Sequence, residues 1–165
     1  MGILSNAVIR PINAAGLALI KKHEGLRLEA YVCPGGIITI GFGHTGDVSL
    51  GEKITVAEAE RLLQRDLHLF ENAVQSLVRV PLNDNQFATL VSFSFNVGVQ
   101  ALARSTLLNL LNRQWYQQVP AQLLKWTTSN GRVLAGLISR RRDEAALWST
   151  PIKGSRDEGT EGKDA

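Results

Sequence analysis

HEGLRLEAYVCPGGIITIGFGHTG, residues 23 to 46, decides the architecture because the chain changes character inside it. Before it, Asn13 is a good helix cap, and Leu17 and Ile20 set an apolar stripe that carries a helix to about residue 23. Glu24 falls at the next position of that stripe, where an apolar residue is expected. Within the quoted stretch, Leu28, Ala30 and Val32 alternate, Pro34-Gly35-Gly36 signals a turn, and residues 37 to 42 are β-branched and aromatic. A small antiparallel sheet is expected there. Gly41, Gly43 and Gly46 then permit tight bends or close approach of a ligand to the backbone.

Downstream the period returns to helical. Thr55 and Glu58 form a capping box that opens a long helix to about residue 77, with Leu63, Leu67, Phe70 and Val74 on its apolar face. Asp66 lies on that same stripe and needs a partner. Pro81 breaks the chain, and residues 83–96, 105–112, 115–125 and 131–148 are further helical candidates. The expected class is α+β with the sheet confined to one end. One domain over residues 1–150 is expected: a sheet lobe at about 25–54, a linking helix at about 55–79, and a helical lobe at about 80–150. The helical lobe also takes in the amino-terminal helix, residues 12–24. Residues 151–165 read as a disordered polar tail.

The whole chain narrows the function classes. Its 165 residues, 44% hydrophobic and 20% charged, describe an ordinary globular protein. A single cysteine, Cys33, excludes internal disulfides and thioredoxin-like chemistry and fits a reducing compartment. His23, His44 and His68 lack metal-site spacing, so neither metal nor cofactor is expected. No apolar run is long enough to span a membrane, and the amino end lacks the features of a signal peptide and of a myristoylation site. Between Asp84 and Asp143 there is no acidic residue, whereas Arg104, Arg113, Lys125, Arg132, Arg140, Arg141 and Arg142 are basic. That half should carry a positive field suited to an anionic polymer, nucleic acid or bacterial wall alike, unless it is simply a solvated basic face.

Chemistry concentrates in the opening stretch. At the edge of a cleft, desolvation would raise the pKa of Glu24 by about 1 to 2 units and make it a usable general acid. The plainer alternative is a structural glutamate tied to an arginine. Cys33, beside a turn rather than a helix start, is a poor candidate for a thiol protease nucleophile, although His44 lies nearby in sequence. If Ile38 and Ile40 face the core, Thr39 faces the other way, where its hydroxyl can hold a water or a sugar oxygen; it is otherwise a good strand former. His44 and Asp66 read as a buried pair clamping the sheet to the long helix, a structural role.

These residues together resemble the active-site signature of the phage-type lysozymes, the endolysin muramidases of tailed bacteriophages and prophages. The likeness rests on residues 24–31, Cys33, Gly36 and residues 39–45. Further matches follow in order, TVAEAERLLQRD (55–66), FATLVSFSFNVG (87–98) and GLISRRRDE (136–144), ending at Trp148. The likeness covers roughly residues 12 to 150. It implies a lysozyme-like fold and hydrolysis of the β-1,4 bond between N-acetylmuramic acid and N-acetylglucosamine in peptidoglycan. Glu24 matches the family's catalytic glutamate and Thr39 its active-site threonine. Cys33 falls where many members carry aspartate and some carry cysteine.

The resemblance also places Asn96 toward the substrate cleft, makes His44 and Asp66 a structural salt bridge, and puts an arginine that neutralises the glutamate near Arg141. Gly43, Asn96 and Arg141 are therefore the expected substrate contacts. The implied mechanism has protonated Glu24 donate to the glycosidic oxygen while a water held by Thr39 and Cys33 attacks the opposite face, which inverts the anomeric centre. Peptidoglycan is the implied partner of a monomer that binds neither nucleic acid nor membrane stably. The family pattern implies accumulation in the host cytoplasm, release through a holin, and action on the wall in the periplasm. Two rival functions remain: a lytic transglycosylase on the same bond, and a non-enzymatic wall or nucleic-acid binding module, which would be indifferent to loss of Glu24.

Overall fold

A computed structural model describes residues 8–153. The readings of the extreme amino end, and of the polar tail from residue 154 onward, lie outside the described residues. Helix α1 (Ala14–Glu24) is capped by Asn13, whose side chain accepts from the Gly16 backbone. Strands β1 (Arg27–Val32) and β2 (Ile38–Gly41) form an antiparallel hairpin that pairs Arg27 with Gly41, Tyr31 with Thr39 and Val32 with Ile38. The Ala30 N–H donates to the Glu52 carbonyl and the Ile54 N–H to the Leu28 carbonyl, both at 2.9 Å, so residues 52–54 edge the other side of β1. The fold is α+β with a small antiparallel sheet beside a helical body.

Helix α2 (Val56–Leu77) opens with the Thr55–Glu58 capping box and buries Ala59, Leu63, Leu67 and Val74. It also buries Glu71, which the apolar period did not single out. The Glu71 carboxylate accepts from the Ile12 backbone at 3.1 Å and pairs with His68 at 3.1 Å, fixing the entry to α1. Helix α3 (Asp84–Val97) has its own capping box from Asn83 and Gln86 and is enclosed by its neighbours from Asn85 to Ser94. It packs against α1, α2 and α7 (Ala135–Trp148). Where α1 crosses α3, a Cβ added to Gly16 would lie 2.5 Å from the Ala88 Cβ. That crossing needs glycine for close approach. Leu102, Leu107, Leu111, Leu123 and Trp148 complete the core, and Phe93 meets Trp126 edge-to-face at 5.3 Å.

The carboxyl-terminal half departs from expectation in two places. The helix expected at 115–125 is a 3-10 turn (Tyr116–Gln118) and a five-residue α6 (Val119–Leu123), preceded by two short helices, α4 (Val99–Ala103) and α5 (Thr106–Asn112). Pro120 has no N–H to donate, and it sits in the first turn of α6, where none is needed. The expectation of a sheet confined to one end is also corrected. A second hairpin, β3 (Thr128–Ser129) with β4 (Arg132–Val133), occupies the start of the helix expected from residue 131. Its turn is Asn130-Gly131, both at positive φ, a strong two-residue hairpin signal that the helical reading passed over.

Candidate active site

Glu24 ends α1 with its side chain 23% exposed, and Arg140 of α7 donates from Nη1 to its Oε1 at 2.6 Å. The alternative of a glutamate tied to an arginine therefore describes its position. Arg140 is itself 4% exposed and donates further, from Nη2 to the Ser92 carbonyl and from Nε to Glu144 Oε1, both at 3.3 Å. Glu144 is fully buried and accepts from Ser92 Oγ at 2.8 Å and from Arg141 Nη2 at 3.0 Å. Its Oε2 lies 2.7 Å from Arg141 Nε, ion-pair distance without hydrogen-bond alignment. Burial pushes the Glu144 carboxyl up and the Arg141 guanidinium down, and the attraction between the two opposes both shifts. Glu24 and Glu144 balance Arg140 and Arg141 in formal charge.

Arg141, expected to contact substrate, is instead fully enclosed. Its Nη2 donates to Asn96 Oδ1 at 2.9 Å and its guanidinium lies over the Phe93 ring, 5.0 Å from the centroid. Position 140 faces Glu24 and position 141 the interior, because successive helical residues point about 100° apart. Asn96 is exposed, at the end of α3, beside a cavity of about 330 Å³ also lined by Trp126, Thr128, Leu134 and Arg141.

The hairpin supplies the other side. Gly43 has φ +89, which side-chain-bearing residues rarely adopt, and a Cβ there would stand 3.6 Å from Glu24 Oε2. The backbone thus approaches the carboxylate oxygen that Arg140 leaves free. Thr39 lies two residues before Gly41 and is only 4% exposed, so it does not stand in the open as strand alternation suggested. Both faces of β2 are covered at that point. The Thr39 hydroxyl donates to the Ile37 carbonyl at 3.1 Å and is a lesser contributor to holding the Cys33 thiol pKa down. The backbone N–H groups of Ile37 and then Gly35 face the sulfur, hold its pKa below the ordinary thiol value, and leave the side chain partly exposed.

Two polar contacts frame the site. His44 Nδ1 meets Asp66 Oδ2 at 2.8 Å and its Nε2 meets the Gly46 carbonyl at 2.8 Å, so both ring nitrogens face acceptors. The side chains are 15% and 28% exposed, so the pair is partly rather than fully buried. Asp143 of α7 takes Lys22 Nζ and His23 Nε2, each at 2.7 Å, and ties the last turn of α1 to α7. Sequence reasoning missed Arg140 as the individual partner, and missed Asp143 and Glu144 altogether. The available signal was the return of acid after a long acid-free stretch, with Glu144 four and three residues after Arg140 and Arg141. Among the described residues no cluster of His, Cys, Asp or Glu is disposed to hold a metal.

The model of the phage lysozyme family matches residues 21–144. The endolysin of Acyrthosiphon pisum secondary endosymbiont phage 1 is 41% identical over 143 residues, 84% of this chain and 98% of that protein. The endolysin of Salmonella phage P22 is 44% identical over 142 residues, 83% of this chain and 97% of that one. The solved muramidase domain of SpmX from Asticaccaulis excentricus superposes with a TM-score of 0.80 at 41% identity, covering 86% of this chain and 100% of the domain.

Proposed function

The chain belongs to the phage lysozyme family, glycoside hydrolases that lyse peptidoglycan, and on that premise we propose that Glu24 is its general acid against the β-1,4 bond between N-acetylmuramic acid and N-acetylglucosamine. The observation that carries this reading is the division of labour on the carboxylate: Arg140 takes Oε1, and Oε2 is left beside Gly43. Protonated at Oε2, Glu24 donates to the glycosidic oxygen as oxocarbenium character develops at the anomeric carbon. The carboxylate that results is then stabilised by Arg140. Cys33 and Thr39 hold the attacking water on the opposite face through their thiol and hydroxyl, and the water gives up its proton to solvent as it adds. Asn96, oriented through its Oδ1 by Arg141, contacts the glycan. Gly43 keeps that side of the acid clear.

We read the chain as one catalytic domain acting as a monomer on peptidoglycan, with no nucleic-acid partner and no stable membrane association. Accumulation in the host cytoplasm and holin-dependent release complete the proposal. No helix among the described residues is long and apolar enough to cross a membrane. Digestion of purified peptidoglycan with mass and anomer analysis tests bond and reaction together. Hydrolysis yields a free reducing N-acetylmuramic acid, first formed as the α-anomer. An anhydro product, lighter by one water, would assign the chain to transglycosylation, and a first-formed β-anomer would end the water-positioning mechanism.

A further inference from the structure

A cleft lies away from Glu24, outside the site described above. It encloses about 720 Å³ where the carboxyl end of α2 meets α4 and α5, and none of Glu24, Cys33, Thr39, Gly43 or Asn96 lines it. Its volume is in the range of about 300–1,000 Å³ usual for ligand sites. Arg79, Arg104 and Arg113 line it, all three exposed, and none makes a side-chain hydrogen bond or ion pair among the described residues. No acidic residue lines the cleft. Arg140, by contrast, is used up in the interior by Glu24 and Glu144. The stems of the cleft arginines are rooted on fixed backbone. Asn112 accepts from the Arg79 N–H at 2.8 Å and donates to the Leu77 carbonyl at 3.0 Å, pinning the Arg79 loop to the end of α5 that carries Arg113. Arg104 caps α4 with its N–H on the Gln100 carbonyl.

Like charges gathered in one concavity with no counter-charge are unfavourable until an anion neutralises them. From this we infer that the cleft is a second binding site, for a phosphodiester polymer with a polyol backbone. Guanidinium forks match phosphate oxygens bidentately, and a cleft of this size spans more than one phosphate. Thr106 and Asn109 present uncommitted polar groups to polyol hydroxyls. The lining has no aromatic side chain on which bases could stack, which separates this ligand from single-stranded nucleic acid. A recessed cleft also cannot lie flat on a bilayer. The inference does not depend on the chemistry assigned to Glu24.

The test titrates poly(glycerol phosphate) into the full chain by calorimetry, at low salt and at roughly 0.5 M salt. Binding is expected at low salt and should weaken at high salt. Arg79→Gln/Arg104→Gln/Arg113→Gln should weaken it about tenfold or more. Thr106→Glu, which sets a carboxylate in the cleft while leaving every arginine in place, should weaken it in the same direction. Arg61→Gln/Arg65→Gln/Lys125→Gln removes equal charge outside the cleft and should change affinity less than about threefold. Three results would each overturn the inference. They are no binding by the wild-type chain at low salt, equal losses in the cleft and control variants, and an oligonucleotide of matched charge that binds as tightly as the polymer.

Discussion

Glu24 has α7 on one side and the β1–β2 hairpin on the other, and the two sides are held by different physics. On the α7 side Arg140, Arg141 and Glu144 are buried ions that pair with one another and hydrogen-bond to Ser92 and Asn96, although Arg141 Nε and Nη1 and Glu144 Oε2 make no hydrogen bond. On the hairpin side Cys33, Thr39 and Gly43 are placed by backbone hydrogen bonds, a turn and a positive φ, while Leu28, Val32 and Ile37 remain exposed. Buried ions tolerate little displacement because losing one partner strands another charge. A thinly covered hairpin opens more readily. Glu24 is therefore fixed from the helical side, and the groups proposed to handle water and substrate sit on the more yielding one.

The sharpest break in this comparison is at the acid itself. Glu24→Gln keeps the shape and the Arg140 contact but removes the proton donor, and turnover should fall about 10³-fold or more with little change in the denaturation midpoint. If a tenth of the wall-lytic rate survives, the site is organised around some other group.

Arg140→Ala tests whether the helical wall is held by charge. The change takes from buried Glu144 one of its two arginines and leaves Glu24 without its ion-pair partner, and should cost about 3 to 4 kcal/mol of stability. Arg140→Lys, which supplies charge without the fork, should recover only part of it. An Arg140→Ala midpoint within experimental error of wild type would show that the network is not what fixes α7.

How much of each wall could be read beforehand follows from the same contrast. Glu24 was legible because it interrupts an apolar period. The strand–turn–strand that carries Cys33 and Thr39 was legible from its composition, though not the burial of Thr39, and the Thr55–Glu58 cap was legible because it is local in sequence. The partner of Glu24 lies 116 residues away. Choosing Arg140 over Arg141 required the rotation of α7, which is set by packing against α3 and α1 rather than by the sequence of α7 itself. Its arginines and apolar residues alternate too closely to declare one buried face. The second hairpin is a different kind of miss, since Asn130-Gly131 was a local signal outweighed by the helical pattern that follows it.

Cys33 probes the hairpin wall by a smaller loss. Cys33→Asp should retain substantial activity, Cys33→Ser should be weaker, and Cys33→Ala should lose about ten- to a hundredfold, because a water-holding group is removed without touching the acid. A dead serine variant with a trappable glycosyl–sulfur adduct in the wild type would instead make the thiol a nucleophile. The backbone donors at Ile37 and Gly35 also predict alkylation at a lower pH than for an ordinary thiol. Thr39→Val should shift that profile upward.

Asp66→Ala measures how firmly the small sheet is clamped to α2. With both partners partly open to solvent, the loss should be about 1 to 2 kcal/mol, well below that for Arg140→Ala. Equal losses at the two sites, by chemical denaturation, would erase the distinction between the walls.

The smallest effect is expected where the helical wall reaches the surface. Lys22 first, then His23, holds the Asp143 carboxyl below its ordinary value of 3.8, against the opposing effect of burial. A carboxyl depressed by folding contributes stability that is present above its unfolded value and is lost as pH falls through the lower folded value. Asp143 is about a third exposed, so the pairing is worth under about 1 kcal/mol. Asp143→Asn should therefore lower the denaturation midpoint slightly and by a constant amount at neutral pH. Below about pH 4 the gap from wild type should close, because the wild-type carboxyl is itself then being protonated. The tie also sets the last turn of α1 against α7, so the variant should raise KM or lower kcat modestly by loosening Glu24 from Arg140. A gap in midpoint that persists unchanged through the acid range would mean that Asp143 acts by shape and hydrogen bonding, and that the charge pairing so firm in the interior of this wall has no hold at its edge.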